Sequence, residues 1–143
     1  MMVDEVTDIT DEIEAAFARL APQLAPGAAA PSRAHLEGIV ASNSTRLFVA
    51  RGDDGTILGT LTLAFYPIPT NVRVWIEDVV VDAAARGQGV GEALVRNALE
   101  AAREMGARQV DLTSRPSREA ANRLYLRLGF EQRDTNAYRF YLP

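Results

Sequence analysis

Apolar positions along this chain change period several times, and each change predicts an element. Ile9, Ile13, Ala16, Phe17 and Leu20 recur at helical spacing behind the capping candidates Asp8 and Thr10, so a first helix is expected, with Pro22 disfavouring its continuation. Ala25 to Pro31 reads as a loop from its Pro and Gly content, and Ser32 caps a second helix reaching about Val40. From Thr45 the period shortens. Thr45 to Arg51 and Thr56 to Tyr66 are β-rich runs around Gly-Asp-Asp-Gly, which predicts an antiparallel hairpin with Asp54-Gly55 at its turn. Past the breaker Tyr66 to Asn71, the run Val72 to Val81 closes on three valines, the composition of a strand buried on both faces. Val90, Leu94, Val95, Ala98, Leu99, Ala102 and Met105 trace one helical face that Gly106 ends, and Ala107 to Thr113 reads as another strand. Two strands joined by a crossover of that length lie parallel, with the helix on one face of the sheet. Ser117 caps a last helix in which Ala121, Leu124, Tyr125 and Leu128 share a face and which Gly129 ends, and short β-like segments near Gln132 and from Tyr138 to Leu142 close the chain.

This order of elements is that of a mixed α/β (α+β) fold, and 143 residues, 48% of them hydrophobic, suffice for one self-sufficient domain over residues 1–143. Charge narrows the partners. A net charge of -4 leaves no broad basic surface for a nucleic-acid backbone or an anionic membrane, so neither is expected. No cysteine is present, which removes disulfides, thiolate metal sites and thiol nucleophiles, and the single His35 removes a multi-histidine metal site. His35 itself, among Leu36, Ile39 and Val40, is assigned no chemical role. The opening residues lack a basic and apolar leader pattern and no apolar run approaches the ~20 residues of a membrane span, so a soluble, cytoplasmic protein is expected.

The chemistry concentrates in Val79 to Gly91, a buried strand that runs through a short turn into a helix start. Gly87, Gly89 and Gly91 leave the backbone bare there, so consecutive N–H groups and the positive end of the helix can meet one phosphate or pyrophosphate. Arg86 adds a charged donor and Gln88 a neutral one. A P-loop would require Gly-Lys-Ser/Thr, whereas Gly91 is followed by Glu92 and Ala93. A dinucleotide fingerprint would require glycine where Glu92 stands. The competing reading is that the glycines only let a helix pack closely on a strand.

Arg86-Gly87-Gln88-Gly89-Val90-Gly91 resembles the Arg/Gln-x-x-Gly-x-Gly/Ala pattern of the general N-acetyltransferase (GNAT) superfamily. Ala121 to Phe130 resembles that family's second signature, Asn-x-x-Tyr-x-x-x-Gly-Phe. The resemblance covers about Val72 to Phe130. It implies a mostly antiparallel central sheet with a splayed parallel strand pair, flanked by about four helices. The family usually opens with a strand, but Met1 to Thr7 alternates only weakly, and the residues alone do not decide whether one forms.

By the same resemblance the protein takes acetyl-CoA as co-substrate, with no metal, and transfers the acetyl group to a primary amine by direct attack on the thioester. Val79, Val80 and Val81 would bond the pantetheine arm through their backbone, with an N–H near Val80 polarising the thioester carbonyl. Arg86, Gly87, Gln88, Gly89, Val90 and Gly91 would hold the pyrophosphate, and Asn122 would contact the pantetheine or a water. Tyr125 occupies the position of the proton donor to the leaving thiol, and its competing reading is a core tyrosine beside Leu124 and Leu128.

Glu77 and Asp78 are candidates for the base. On a regular strand they leave opposite faces, with Glu77 sharing the face of Val79 and Val81, and the competing reading pairs Glu77 with Arg73 or a loop amide. Trp75, Ser114, Arg115, Arg118 and the run Tyr138 to Tyr141 could line the acceptor or cofactor site, or serve as core, solvated charge and edge strand. A small-molecule amine acceptor and a monomer or homodimer are expected. A non-catalytic acyl-CoA sensor and a protein or peptide amine acetyltransferase are the alternatives.

Overall fold

Thr10, not Asp8, starts the first helix: its Oγ1 accepts from the Ile13 amide at 3.3 Å. The computed structural model describes all residues 1–143, and this helix, α1, spans Asp11–Leu24. Pro22 lies inside it. Only one more turn follows, so the missing N–H costs a single helical bond, and the Ala25 amide still closes on Ala21 O at 3.2 Å. Ser32 caps α2, Arg33–Ala41, by accepting from the His35 amide. His35 is exposed.

Four strands form one antiparallel sheet in the order β1-β2-β3-β4: Met2–Glu5, Thr45–Arg51, Ile57–Ile68 and Asn71–Val81. The opening strand is therefore present. Its register on β2 sets Asp4 beside Val49 and Glu5 beside Phe48, and Arg51–Asp4 and Arg46–Glu5 ion pairs fasten it from the neighbouring strand. The expected breaker at Tyr66 to Asn71 shrinks to two residues, because Pro67 stays in the ladder opposite Val72.

The helices take both faces. Leu47, Val49, Ile57 and Val80 join Ile13, Ala16, Leu20 and Leu36 of α1 and α2 in one buried cluster. On the opposite face α3, Val90–Glu104, buries Val90, Leu94, Val95, Ala98, Ala101 and Ala102. The approach there is close: a Cβ on Gly59 would lie 2.8 Å from Val80 O, 3.1 Å from Val90 Cγ1 and 3.2 Å from Leu94 Cδ1. The backbone oxygen cannot yield as a flexible side chain would. Gly59→Ala is therefore expected to lower unfolding free energy by about 1–3 kcal/mol, read as a lower urea midpoint at unchanged slope.

Of three expected β segments, one shrinks to a bridge and two are absent. Ala107 to Thr113 contributes one parallel bridge, Trp75 with Asp111, in which Asp111 N reaches Val74 O at 3.0 Å and Ile76 N reaches Asp111 O at 2.9 Å. Pairing stops at that rung while β4 continues to Val81, so the splay is real but the strand is a single bridge. The stretch from Glu131 to Pro143 forms no strand and is exposed throughout. A β-like run acquires strand structure only where an edge satisfies its backbone. Tyr138, Phe140, Tyr141 and Leu142 consequently face solvent, Tyr138 with 90% of its surface open.

The chain divides into two compact units, Met1–Thr113 and Ser114–Pro143. The second holds α4, Glu119–Arg127. Ser117 does not cap it: Arg118 is the N-cap residue and no side chain closes the first turn. No helix is long and apolar enough to cross a membrane.

Candidate active site

β4 does not run straight into the glycine loop. Thr60 pairs with Val80 and Thr62 with Glu77, so one residue of β3 faces two of β4, a bulge at Asp78 and Val79. Asp78 carries it at φ 50, the sole residue other than glycine with positive φ. The bulge breaks the alternation expected of a regular strand, and simple parity no longer relates Glu77 to Val79 and Val81. Instead Glu77 and Asp78 are both exposed side by side while Val80 stays buried. The Glu77 carboxyl is pushed up from its ordinary value, first by partial burial and then by the Asp78 charge, and solvent access keeps such effects modest. Glu77 makes no ion pair with Arg73, so that half of the structural alternative for this carboxylate is absent, and the charge next to it is that of Asp78.

Beyond Val81 the chain makes one 3-10 turn, Ala83–Ala85, and opens into Arg86 to Gly89, all four exposed. Gly87 has φ 77 and Gly89, the N-cap residue of α3, has φ 80. Left-handed residues alternating with ordinary ones turn successive amides toward the same side. The Arg86 amide reaches Ala83 O at 3.4 Å and the Ala93 amide reaches Gly89 O at 3.0 Å, while those of Gly87, Gln88, Gly89, Val90 and Gly91 have no main-chain acceptor. No side chain caps this helix start either. A Cβ on Gly87 or Gly89 would meet nothing within 4 Å. These glycines are thus not explained by close packing. Bare donors, open space and a helix N-terminus together fit a diphosphate.

The second unit explains the other signature. Gly129, at φ 100, ends α4, and the Phe130 amide then bonds Tyr125 O at 3.0 Å while the Gly129 amide bonds Leu126 O at 3.1 Å. This paired closure is the Schellman arrangement, which a residue in the left-handed region makes possible. It brings the Phe130 ring edge-on to Tyr125, with centroids 5.7 Å apart at 64°. The spacing of Tyr, Gly and Phe thus sets one ring. Tyr125 is 6% exposed, and burial raises its phenol above the ordinary value against a smaller opposing pull from Arg118. Asn122 donates through Nδ2 to Arg115 O at 2.9 Å, tying the helix to the loop before it.

Trp75 is half-buried and Arg115 and Arg118 are exposed. Ser114 Oγ is buried without a hydrogen-bond partner. A cleft of about 340 Å³ beside α1, lined by Glu12, Arg19, Asp54 and Ile57 among others, includes none of the expected site residues. No group of three or more His, Cys, Asp or Glu side chains is arranged to hold a metal ion. Periodicity gave no role to Gly59 or Asp82. The available signals were an isolated glycine inside a strand, which marks a close approach, and an acidic residue where a buried strand ends.

A bulged antiparallel strand leading into a bare glycine turn and a long helix defines a mixed α/β protein that exposes a row of main-chain donors at a helix start. Residues 9–130 match the Acetyltransferase (GNAT) family, and the chain belongs to it. A streptothricin acetyltransferase of Streptomyces lavendulae is 37% identical over 86 residues, 60% of this chain and 44% of that protein. Glucosamine 6-phosphate N-acetyltransferase 1 of Oryza sativa subsp. japonica is 42% identical over 59 residues, 41% of this chain and 34% of that protein. The chain thus spans less than half the length of these relatives. A transcriptional regulator from Bacillus halodurans C-125 superimposes with a TM-score of 0.82 at 27% identity, covering 99% of this chain and 100% of that one.

Proposed function

We propose that this protein is an N-acetyltransferase that moves an acetyl group from acetyl-CoA to the primary amine of a small molecule. The observation that carries the reading is the row of amides from Gly87 to Gly91 without main-chain acceptors. These amides and Arg86 hold the diphosphate, Val79 to Val81 hold the pantetheine arm, and Asn122 supports it. Bound there, acetyl-CoA supplies an acyl group already activated as a thioester. Two side chains move protons. Glu77, ionised, takes one from the attacking amine, directly or through water, and Tyr125 holds one at Oη for the departing sulfur. A raised phenol suits the second role, because Tyr125 remains protonated at neutral pH. Small amines are favoured as acceptors by the relatives named for streptothricin and glucosamine 6-phosphate.

The test is thiol release from acetyl-CoA against a panel of amino sugars, aminoglycosides, polyamines, amino acids and peptides, beside calorimetric titration with CoA. Acetylation of a small amine is the expected result. CoA binding with no turnover on any acceptor would make the protein a sensor, and turnover on peptides alone would move it to the protein acetyltransferases.

The carboxylate gives a pH prediction whose sign is fixed. A base must be ionised, and Glu77 is held above its ordinary value, so kcat/KM should rise with pH through an inflection displaced upward from that of an ordinary glutamate. Glu77→Gln should remove that limb and leave the one set by the acceptor amine. A limb that survives in Glu77→Gln excludes Glu77 as the base.

A further inference from the structure

The donors of the glycine turn make no main-chain contacts of their own, so their aim depends on what holds the two ends of the turn. One end is α3. The other is Asp82 and Ala83, and here α1 reaches across. Arg19 Nε donates to Asp82 Oδ2 at 3.1 Å, and Arg19 Nη2 donates to Ile57 O on β3 at 2.5 Å. Four residues along the same helix, Gln23 Oε1 accepts from the Ala83 amide at 2.8 Å. Residues at that spacing share a helix face. Asp82 in turn binds three ways: its amide donates to Leu58 O at 2.8 Å, its Oδ1 accepts from the Ala84 amide at 3.1 Å, and its Oδ2 meets Arg19. The Ala84 amide, with smaller help from Arg19 and Gln23, keeps the Asp82 carboxyl below its usual range.

We infer that Arg19, Gln23 and Asp82 are positioning residues for the anion-binding turn, a clamp by which α1 sets the direction of the amides from Gly87 to Gly91. The inference rests on the function proposed above. Its physical basis is that a turn with two left-handed glycines has many accessible conformations, and only anchoring at both ends selects the one that converges on a diphosphate. The first end is secured by the buried face of α3, and the second by side chains from an element 63 residues away in sequence. A general brace for the fold would support every ligand contact alike. This clamp supports the diphosphate contacts selectively.

That selectivity is the test. Arg19→Leu should raise the Kd for CoA and the KM for acetyl-CoA about 10-fold at unchanged kcat, the loss expected if the released turn swings about one of its amides out of hydrogen-bond reach of the diphosphate. With S-acetylpantetheine, which carries no diphosphate, kcat/KM should equal that of the wild type. Equal losses with both acyl donors would show a merely structural role and overturn the inference, as would a CoA Kd within 2-fold of wild type. Asp82→Asn provides a second reading if Arg19→Leu does not fold, since Asn keeps an acceptor for the Ala84 amide but loses the charge facing Arg19, and the same donor-dependent split is expected. A wild-type protein that binds no CoA would remove the proposed function and this inference with it. CoA binding equal in wild type and both variants would remove the inference alone.

Discussion

Tyr125→Phe is expected to lower kcat about 10²–10⁴-fold while CoA affinity and thermal midpoint stay near wild type. The size follows from what is lost and what is kept. The Phe ring retains the buried position and the edge-on contact with Phe130, and the backbone closure through Phe130 N and Tyr125 O is unaffected by the side chain. Only Oη disappears, and removing it orphans no partner in the chain, so little folding energy is at stake. The leaving group is a thiolate whose conjugate acid has a pKa of about 8.5, against about 10 for a free phenol. Burial raises the phenol further, so it stays protonated until the sulfur needs the proton. Thiol release under saturating acetyl-CoA measures the rate and calorimetry the affinity. A loss under about 10-fold would mean that water protonates the sulfur and that Tyr125 serves the core.

The features legible in the residues were the local ones. Helical spacing, the caps at Thr10 and Ser32, the Asp54-Gly55 turn and the glycine run each depend on a few neighbours, and each formed as expected. One local reading failed, the cap at Ser117, where Arg118 takes the position; most other departures involve pairing or backbone geometry that neighbouring residue types do not announce. β1 alternates weakly, yet it forms on the edge offered by β2, whose Arg46 and Arg51 reach Glu5 and Asp4 across 41 and 47 residues of sequence. Pro22 is tolerated because the helix needs only one further turn. Asp78 gives no warning of its positive φ, since aspartate on a strand reads as an ordinary alternating position, and the resulting bulge leaves Glu77 and Asp78 both exposed. Tyr138 to Leu142 has the composition of a strand but not the paired edge that makes one. At the candidate site the same division holds: the exposed glycine turn could be read from Arg86 to Gly91, whereas the Arg19 and Gln23 contacts to Asp82 and Ala83 come from α1 and could not.

Gly89→Val should abolish most CoA affinity, raising Kd at least about 10–100-fold, because each charged hydrogen bond contributes about 1.5–3 kcal/mol and a valine there displaces more than one. Gly89 sits at φ 80, a conformation that a β-branched residue adopts only under strain of about 1–3 kcal/mol. The turn must therefore either bear that strain or swing its amides out of line, and in both cases the two methyl groups occupy the open space where nothing of the chain lies within 4 Å. Stability alone would not separate these effects, but the chain contains its own control. Gly27 has the same φ of 80 and equally open surroundings, and it lies outside the turn, in the loop before α2. Gly27→Val should show the same loss of stability in urea with CoA affinity unchanged. If the two variants bind CoA alike, strain accounts for everything and the glycine turn is not where the diphosphate is held.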